Sequence, residues 1–345
     1  MDGIAICYQS LAQGQTVFPI TGIQSAGMPE IELANPETCL EVMTGACLPY
    51  GTDTVIKIED IKIENNAAHL SNASSIKKGQ HIHTLGSDQK TGTTLIPSST
   101  ILKAPELAIA ASVGYKQCLV YQQPKILLIT TGDEVIPLKQ TPEPYQIRRS
   151  HSYAIRASIT SNQLGTVDHI HTPDSEAALK SAIESGLKNH DVILITGGIS
   201  KGKYDYVAPV MQSLVGKPHF HGVAQRPGKP FAFWTTTTAS TQCQRAIFAL
   251  PGNPVSVMAC LARYILPALR HMRGEKWQPL SYPLGPETPW HAPFQGLVAS
   301  QISNNQMHPN PPRNSGDYTA LAGSQGICEL PHNTTPGTPL NFYPW

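Results

Sequence analysis

The most constraining feature lies in the middle of the chain, where short apolar runs alternate with amphipathic stretches. Ile126-Leu127-Leu128-Ile129-Thr130 and Val192-Ile193-Leu194-Ile195-Thr196 lack polar alternation, so each predicts a strand buried on both faces. Between them, Ile155, Ile159 and Leu164 recur at helical spacing, and an extended Val167-Asp168-His169-Ile170 follows. Ser175 is placed to cap a second helix carrying Leu179, Ile183 and Leu187. This alternation of strand and helix predicts a mostly parallel sheet with helices on both faces, a three-layer α/β domain. Residues 207, 210, 211 and 214 continue the helical spacing, and Phe231-Ala232-Phe233-Trp234 and Ile247-Phe248-Ala249-Leu250 predict further strands. Pro251-Gly252-Asn253-Pro254 opens a helix to about residue 270, with Asn253 at the N-cap and Pro254 at its first position.

The flanks read differently. Val17-Phe18-Pro19-Ile20, Thr54-Val55-Ile56-Lys57-Ile58 and Asp60-Ile61-Lys62-Ile63-Glu64 are short and extended, the last two alternating as in a half-buried antiparallel sheet. Pro105 starts a short helix that ends near Gly114, and after residue 275 the chain returns to Pro-rich extended pieces. At 345 residues several domains are expected. The divisions read are 1–84, a small β domain; 85–118, a linker with one helix; 119–272, the α/β domain; and 273–345, a C-terminal β domain.

Charge is scarce: Asp, Glu, Lys and Arg make up 14% of the chain, against about 25% in ordinary domains, and the net charge is +1. There is no basic footprint for nucleic acid, so an anionic ligand must be met by a few placed cations. No apolar run approaches the ~18 residues of a membrane span, and the start lacks a signal-peptide pattern, so no membrane association and a cytoplasmic location are expected. The 7 cysteines are scattered without a C-x-x-C pair, which argues against a disulfide framework or a zinc knuckle.

In an open parallel sheet ligands sit beyond the carboxyl ends of the strands, so the loops there are the candidates for chemistry. Thr130-Thr131-Gly132-Asp133-Glu134 places two acids after a buried strand, able to hold Mg²⁺ or act as a base, or simply to cap a turn. Gly197-Gly198-Ile199-Ser200-Lys201-Gly202-Lys203 has the spacing of a phosphate-binding P-loop. Tyr204, however, stands where that motif needs Ser or Thr, which argues against a P-loop NTPase. The Gly-Gly turn with Ser200 still offers N–H groups to an anion, with Asp205 at the mouth of the same cleft. Arg226-Pro227-Gly228-Lys229-Pro230 holds two cations on a stiff segment, suited to an oxyanion. Free N–H groups after Asn253 are a phosphate seat or a plain capping device. Three H-x-H pairs, His81/His83, His169/His171 and His219/His221, could each share a strand face, but without a third ligand they read as solvated strand histidines.

Together the motifs are more specific than any one of them. Met1-Asp2-Gly3-Ile4-Ala5, Met43-Thr44-Gly45-Ala46, Gly86-Ser87-Asp88, Thr131-Gly132-Asp133-Glu134 and Thr196-Gly197-Gly198-Ile199-Ser200 with Asp205-Tyr206 come first. Arg226-Pro227-Gly228-Lys229-Pro230, Leu250-Pro251-Gly252-Asn253-Pro254-Val255-Ser256 and Ser315-Gly316-Asp317 follow. In this order and spacing, from residue 1 to about 330, the chain resembles the molybdopterin molybdenumtransferases, relatives of the gephyrin E domain. The resemblance implies a central molybdopterin-binding α/β domain, a small N-terminal β domain, part of an elongated helical domain at 85–118, and a C-terminal β-barrel-like domain. It implies Mg²⁺-dependent insertion of molybdenum from molybdate into adenylylated molybdopterin, with release of AMP, by a homodimer with shared active sites and with molybdopterin adenylyltransferase as a partner.

Carried over by motif, Asp2, Asp88, Glu134, Asp205 and Lys229 would be catalytic, with Glu134 and Asp205 on the metal. Thr44, Thr131, Gly197, Gly198, Ser200, Arg226, Lys229, Pro230, Asn253, Ser315 and Asp317 would bind substrate. Three positions depart from the family pattern: Arg149, His151 and His291. The resemblance also implies a helical segment ahead of Met1-Asp2-Gly3, so either the start lies further upstream or the elongated helical domain is incomplete. Two other readings are an adenylyltransferase or amidase-type relative sharing only the α/β domain, and a catalytically impaired binding or scaffolding protein on the same fold. The flanking β segments with motifs of their own count against the first, and the acids and lysine of the motifs against the second.

Overall fold

In the first compact unit, Met1–Leu95, six short strands form one sheet in the computed structural model, which describes residues 1–199, 205–237, 244–286 and 295–345. The strands are β1 (Gly3–Ile6), β2 (Val17–Gln24), β3 (Cys39–Val42), β4 (Thr54–Lys57), β5 (Ile61–Glu64) and β6 (Ala67–Leu70), in the order β4-β1-β3-β2-β6-β5. Helix α1 (Tyr8–Ala12) closes one side, over Ile4, Ile6, Phe18, Cys39, Ile56 and Ala68. The alternation read at β4 understates its burial. Val55 packs with Ala5 and Val42 in a second small cluster on the opposite face, so both faces of the strand are covered.

The second unit, Ile96–Trp345, begins with helix α2 (Ala104–Ser112) and then builds the central sheet. Its first part runs β7 (Lys125–Thr131), the two-residue pair β8 (Val135–Ile136) and β9 (Ile147–Arg148), α3 (His151–Ser161), β10 (Thr166–Thr172), α4 (Glu176–Asn189), β11 (Val192–Thr196) and α5 (Val207–Leu214). It continues through β12 (Phe220–His221), β13 (Gln225–Arg226), β14 (Ala232–Thr237), β15 (Gln244–Leu250) and α6 (Pro254–Cys260), a π turn at Leu261–Ile265, and α7 (Leu266–Met272). The sheet order is β10-β7-β11-β15-β14-β12, with β10, β7, β11 and β15 parallel, β14 antiparallel to β15, and β12 antiparallel to β14.

Two cores follow from the pleat, because successive side chains on a strand point to opposite faces. Ile126 and Leu128 of β7 pack with Ile155, Ile159 and Val257 on one side. Leu127 and Ile129 pack with Leu179, Ile183, Val207 and Met211 on the other. Ser175 caps α4 as expected, accepting from the Ala178 N–H, whereas Leu164 fills the first core from just beyond the end of α3.

At the amino ends of the strands, Asp191 accepts from the Lys125 N–H at 2.9 Å and from Arg245, tying β7, β11 and β15 together. The third sheet takes β16 (Leu280–Pro283), β17 (Gln295–Ser303), β18 (Gln306–Pro309), β19 (Gly326–Leu330) and β20 (Pro339–Pro344). Its order is β13-β17-β19-β20-β16, with β18 paired to β17. Strand β13 therefore carries Arg226 into the third sheet while its neighbours in sequence belong to the central one.

Candidate functional site at the carboxyl ends of the central strands

The loops after β7, β11 and β15 surround a cleft of about 330 Å³. Thr131, Gly132 and Glu134 come from the first loop, Gly197, Gly198 and Ile199 from the second, and Pro251, Gly252 and Asn253 from the third. Asp205, Pro230 and Asp174 complete the lining. Seven positions expected from sequence thus meet here: Thr131, Glu134, Gly197, Gly198, Asp205, Pro230 and Asn253.

Two glycines make this packing possible. Gly132 has φ +126° and lies so close to the Glu134 carboxylate that an added Cβ would fall 2.6 Å from Oε2. Gly197 has φ +90°, and a Cβ there would fall 2.6 Å from Thr131 Oγ1. Both positive-φ conformations disfavour a side chain, and a Cβ at either position would displace the Glu134 carboxylate or the Thr131 hydroxyl from the cleft.

Asp174 is the residue the sequence reading passed over. It follows β10 as Glu134 follows β7, and that position in a loop after a parallel strand was the available signal. Burial raises its carboxyl above the ordinary range, and the charges of Asp133 and Glu134 push the same way against a lowering hydrogen bond. The Asp133 backbone N–H supplies that lowering bond, and the Asp174 N–H in turn donates to Asp133 Oδ1 at 3.2 Å.

The cationic segment borders the cleft through Pro230, while Arg226 and Lys229 are exposed. Beneath it Gln225, only 4% exposed, donates to Pro227 O at 3.1 Å and accepts from Tyr264 Oη, and Gly228 lies against Cys260. Asn253 stands at the N-cap of α6, but its side chain makes no capping bond. The Val255 N–H is taken by the Ser315 carbonyl at 3.1 Å, so one donor read as free for a phosphate is already satisfied, and Ser315 is held beside the helix start. Asp317 caps the turn Tyr318–Leu321, accepting from the Ala320 N–H and from Thr319 Oγ1, and from the Arg313 N–H at 3.2 Å. Those bonds are a structural role and hold its carboxyl below the ordinary range, the Thr319 hydroxyl foremost.

In the first unit, Asp2 Oδ1 accepts from the Thr44 N–H at 2.8 Å and Oγ1 at 2.9 Å, the backbone bond being the main reason its carboxyl is lowered. Asp88 pairs with His83 Nε2 at 3.0 Å on an exposed turn. Ser200, together with Lys203, Tyr204 and His291, lies outside the described residues.

For Mg²⁺ the donor chemistry fits in part. Glu134 and Asp205 are hard oxygen donors on one cleft, but among the described residues no group of three or more His, Cys, Asp or Glu side chains is arranged around a metal. The remaining ligands would have to come from substrate oxygens and water. Two of the histidine pairs differ from expectation. His81 lies in a turn and His83 in an irregular stretch, neither on a strand, and His169 and His171 are half-buried on β10, while His219 and His221 are exposed as expected, His219 hydrogen-bonding Thr235 Oγ1 at 2.6 Å.

Comparison with known proteins agrees with the motifs. The family described as "Probable molybdopterin binding domain" matches residues 127–271, and "MoeA N-terminal region (domain I and II)" matches residues 1–114. The Molybdopterin molybdenumtransferase of Synechocystis sp. is 35% identical over 353 residues, covering 100% of this chain and 87% of that protein. The protein of the same name from Nostoc sp. is 32% identical, covering 81% of this chain and 64% of its own length. In structure, the molybdopterin biosynthesis moea protein from Pyrococcus horikosii superposes with a TM-score of 0.83 at 22% identity over 100% of this chain and 86% of that one, so the fold is shared.

Proposed function

Because this chain belongs to the molybdopterin molybdenumtransferase family, and is thereby a transferase of molybdenum-cofactor biosynthesis, we propose that it inserts molybdenum from molybdate into adenylylated molybdopterin and releases AMP. The observation that carries this reading is the convergence of Glu134, Asp205, the Gly197-Gly198 turn and the Pro230 end of the cationic segment on one cleft. Cleaving a phosphate anhydride asks for positioning and charge neutralisation more than for covalent help, and these are the parts present. Glu134 and Asp205 would hold Mg²⁺, which would neutralise phosphate oxygens. Arg226 and Lys229 hold the oxyanion, and Thr131 and the glycine turns accept the substrate against backbone N–H groups. The roles carried over for Asp2, Thr44, Asp88, Ser200 and Ser315 belong to the same proposal.

The reading extends to a cytoplasmic homodimer with shared active sites that receives its substrate from molybdopterin adenylyltransferase. Leu107, Val113 and Tyr115, exposed on and just after α2, supply apolar surface for a second copy. No helix of the described residues is long and apolar enough to cross a membrane. The division at 84, 118 and 272 is part of this proposal.

The test supplies purified protein with adenylylated molybdopterin, molybdate and graded Mg²⁺, and follows AMP. Glu134→Gln and Asp205→Asn should each raise the Mg²⁺ needed for half-maximal release while leaving the unfolding midpoint nearly unchanged, since Mg²⁺ is commonly held by one or two carboxylates plus phosphate. Coincident Mg²⁺ curves for the wild type and both variants would remove the metal assignment. Tight pterin binding without any AMP release would favour the scaffolding reading.

A further inference from the structure

One cluster of nitrogen-bearing side chains has no part in the reaction above. His169 and His171 project from the same face of β10, an edge strand of the central sheet. Both rings meet one hydroxyl: Thr130 Oγ1 lies 3.0 Å from His169 Nε2 and 3.0 Å from His171 Nδ1. The hydroxyl has one proton, so it donates to one ring and accepts from the other, and each ring keeps a second nitrogen. Arg149, two residues ahead of α3, is anchored by its N–H on Ile136 O at 2.9 Å. Its Nε is buried without a hydrogen-bond partner, and among the described residues it forms no ion pair with a carboxylate.

A buried, unsatisfied N–H on a charged group is costly and calls for an explanation, a bound ion being one. The surrounding charges indicate which sign. After burial itself, Arg149 is the foremost influence depressing both histidines, and Arg156 of α3 acts on His169 in the same direction. Glu134 and Asp133 act oppositely on His171 but do not reverse its shift. Two histidines on one strand face could serve a metal, yet a guanidinium beside them repels a cation and among the described residues no third ligand completes a site. An oxyanion fits these observations: it accepts from the guanidinium, balances its charge and favours a protonated ring.

We propose that Arg149, His169 and His171 form a binding site for a tetrahedral oxyanion, either inorganic or the phosphate of a monoester. The site adjoins the cleft through β7, whose Thr130 holds the histidines and whose Thr131 lines the cleft. It involves neither Arg226 nor Lys229, so it stands or falls separately from the molybdate assignment made to them.

The experiment is calorimetric titration of the full chain at neutral pH with inorganic phosphate, molybdate and AMP, adenosine serving as control. Arg149→Gln should weaken oxyanion binding about tenfold or more, the loss of one charge-assisted contact, with the urea midpoint unchanged or raised. Loss confined to the inorganic ions identifies a free oxyanion as the ligand, and loss extending to AMP, with adenosine silent throughout, identifies a monoester. Equal affinities in wild type and Arg149→Gln overturn the site. A loss seen only in Arg226→Ala or Lys229→Ala also overturns it while leaving the proposed reaction intact. Should Arg149→Gln fail to fold, the wild type decides: phosphate must shift the ring resonances of His169 and His171 in the direction of protonation, and unmoved resonances at saturating phosphate overturn the proposal.

Discussion

Tyr264 shows how little of a site's support is visible at the residues that carry its motif. Arg226-Pro227-Gly228-Lys229-Pro230 stands out in the sequence, but the amide that positions it, Gln225, is held by Tyr264, 39 positions away, and touches Cys260, 35 positions away. No local pattern announces partners at that separation. Tyr264→Phe keeps the ring that stacks on Phe231 and removes only the donor to Gln225 Oε1, leaving a buried acceptor unsatisfied. The expected cost is about 1–3 kcal/mol, read as a lower urea midpoint with an unchanged slope. An unaltered midpoint would mean that the amide finds another donor. Of the cleft acids, Glu134 and Asp205 were legible because each sits in a motif, whereas Asp174, which follows β10 with no motif around it, was not.

At the scale of elements, uniform apolar runs were the strongest signal. Strands β7 and β11 were legible because burial on both faces leaves apolar runs without polar alternation, whereas β8, β9 and β13 are two residues long and have no period to detect. The helix read as continuous to about 270 contains the π turn Leu261–Ile265, where Arg263 reaches Glu329 of β19 and lies over the Tyr343 ring at 4.7 Å. That distortion serves contact with the third sheet, so it belongs to tertiary structure and not to the helix's own residues. Two predictions belong here. Asp191→Ala removes the shared acceptor of β7 and β15 and leaves the buried Arg245 uncompensated, a loss of about 1.5–3 kcal/mol in urea unfolding because the Asp191 carboxylate is partly solvated. A change under ~1 kcal/mol would show that water or relaxation replaces it. The start of α3 adds a pH dependence. Burial lowers His151 to about 4, and its ring meets Tyr318 edge-on at 6.5 Å. An unfolded histidine takes its proton near pH 6.5, so between roughly 6.5 and 4 the unfolded chain binds more protons than the folded one. Its contribution to stability is therefore complete above that window and is lost as pH falls through it. The urea midpoint should drop between pH 7 and pH 5, and the drop should be shallower in His151→Gln; parallel pH profiles would assign the acid sensitivity elsewhere.

The whole molecule divides its candidate residues between two compact units, with Asp2, Thr44 and Asp88 in the first and Glu134, Asp205, Lys229 and Ser315 in the second. The family motifs were legible in both, but their order along the chain does not say whether both sets serve one reaction centre. The proposed homodimer with shared active sites makes a strong claim about this, because it asks each centre to draw one set from each of two subunits. If so, Asp88→Ala and Asp205→Ala chains are each inactive alone, but a mixed dimer concentrates both defects in one centre and leaves the other whole. After dissociation and random reassociation, about half the dimers are mixed, and each keeps one centre of two. The mixture should therefore recover about a quarter of wild-type AMP release from two inactive parents. Sedimentation must show dimers before the result is read, and each parent must be taken through the same dissociation alone. Recovery near that value requires Asp88 and Asp205 to act from different subunits. Verified mixed dimers without activity would instead require each chain to build its centre from its own residues, and monomers throughout would end the shared-site proposal altogether.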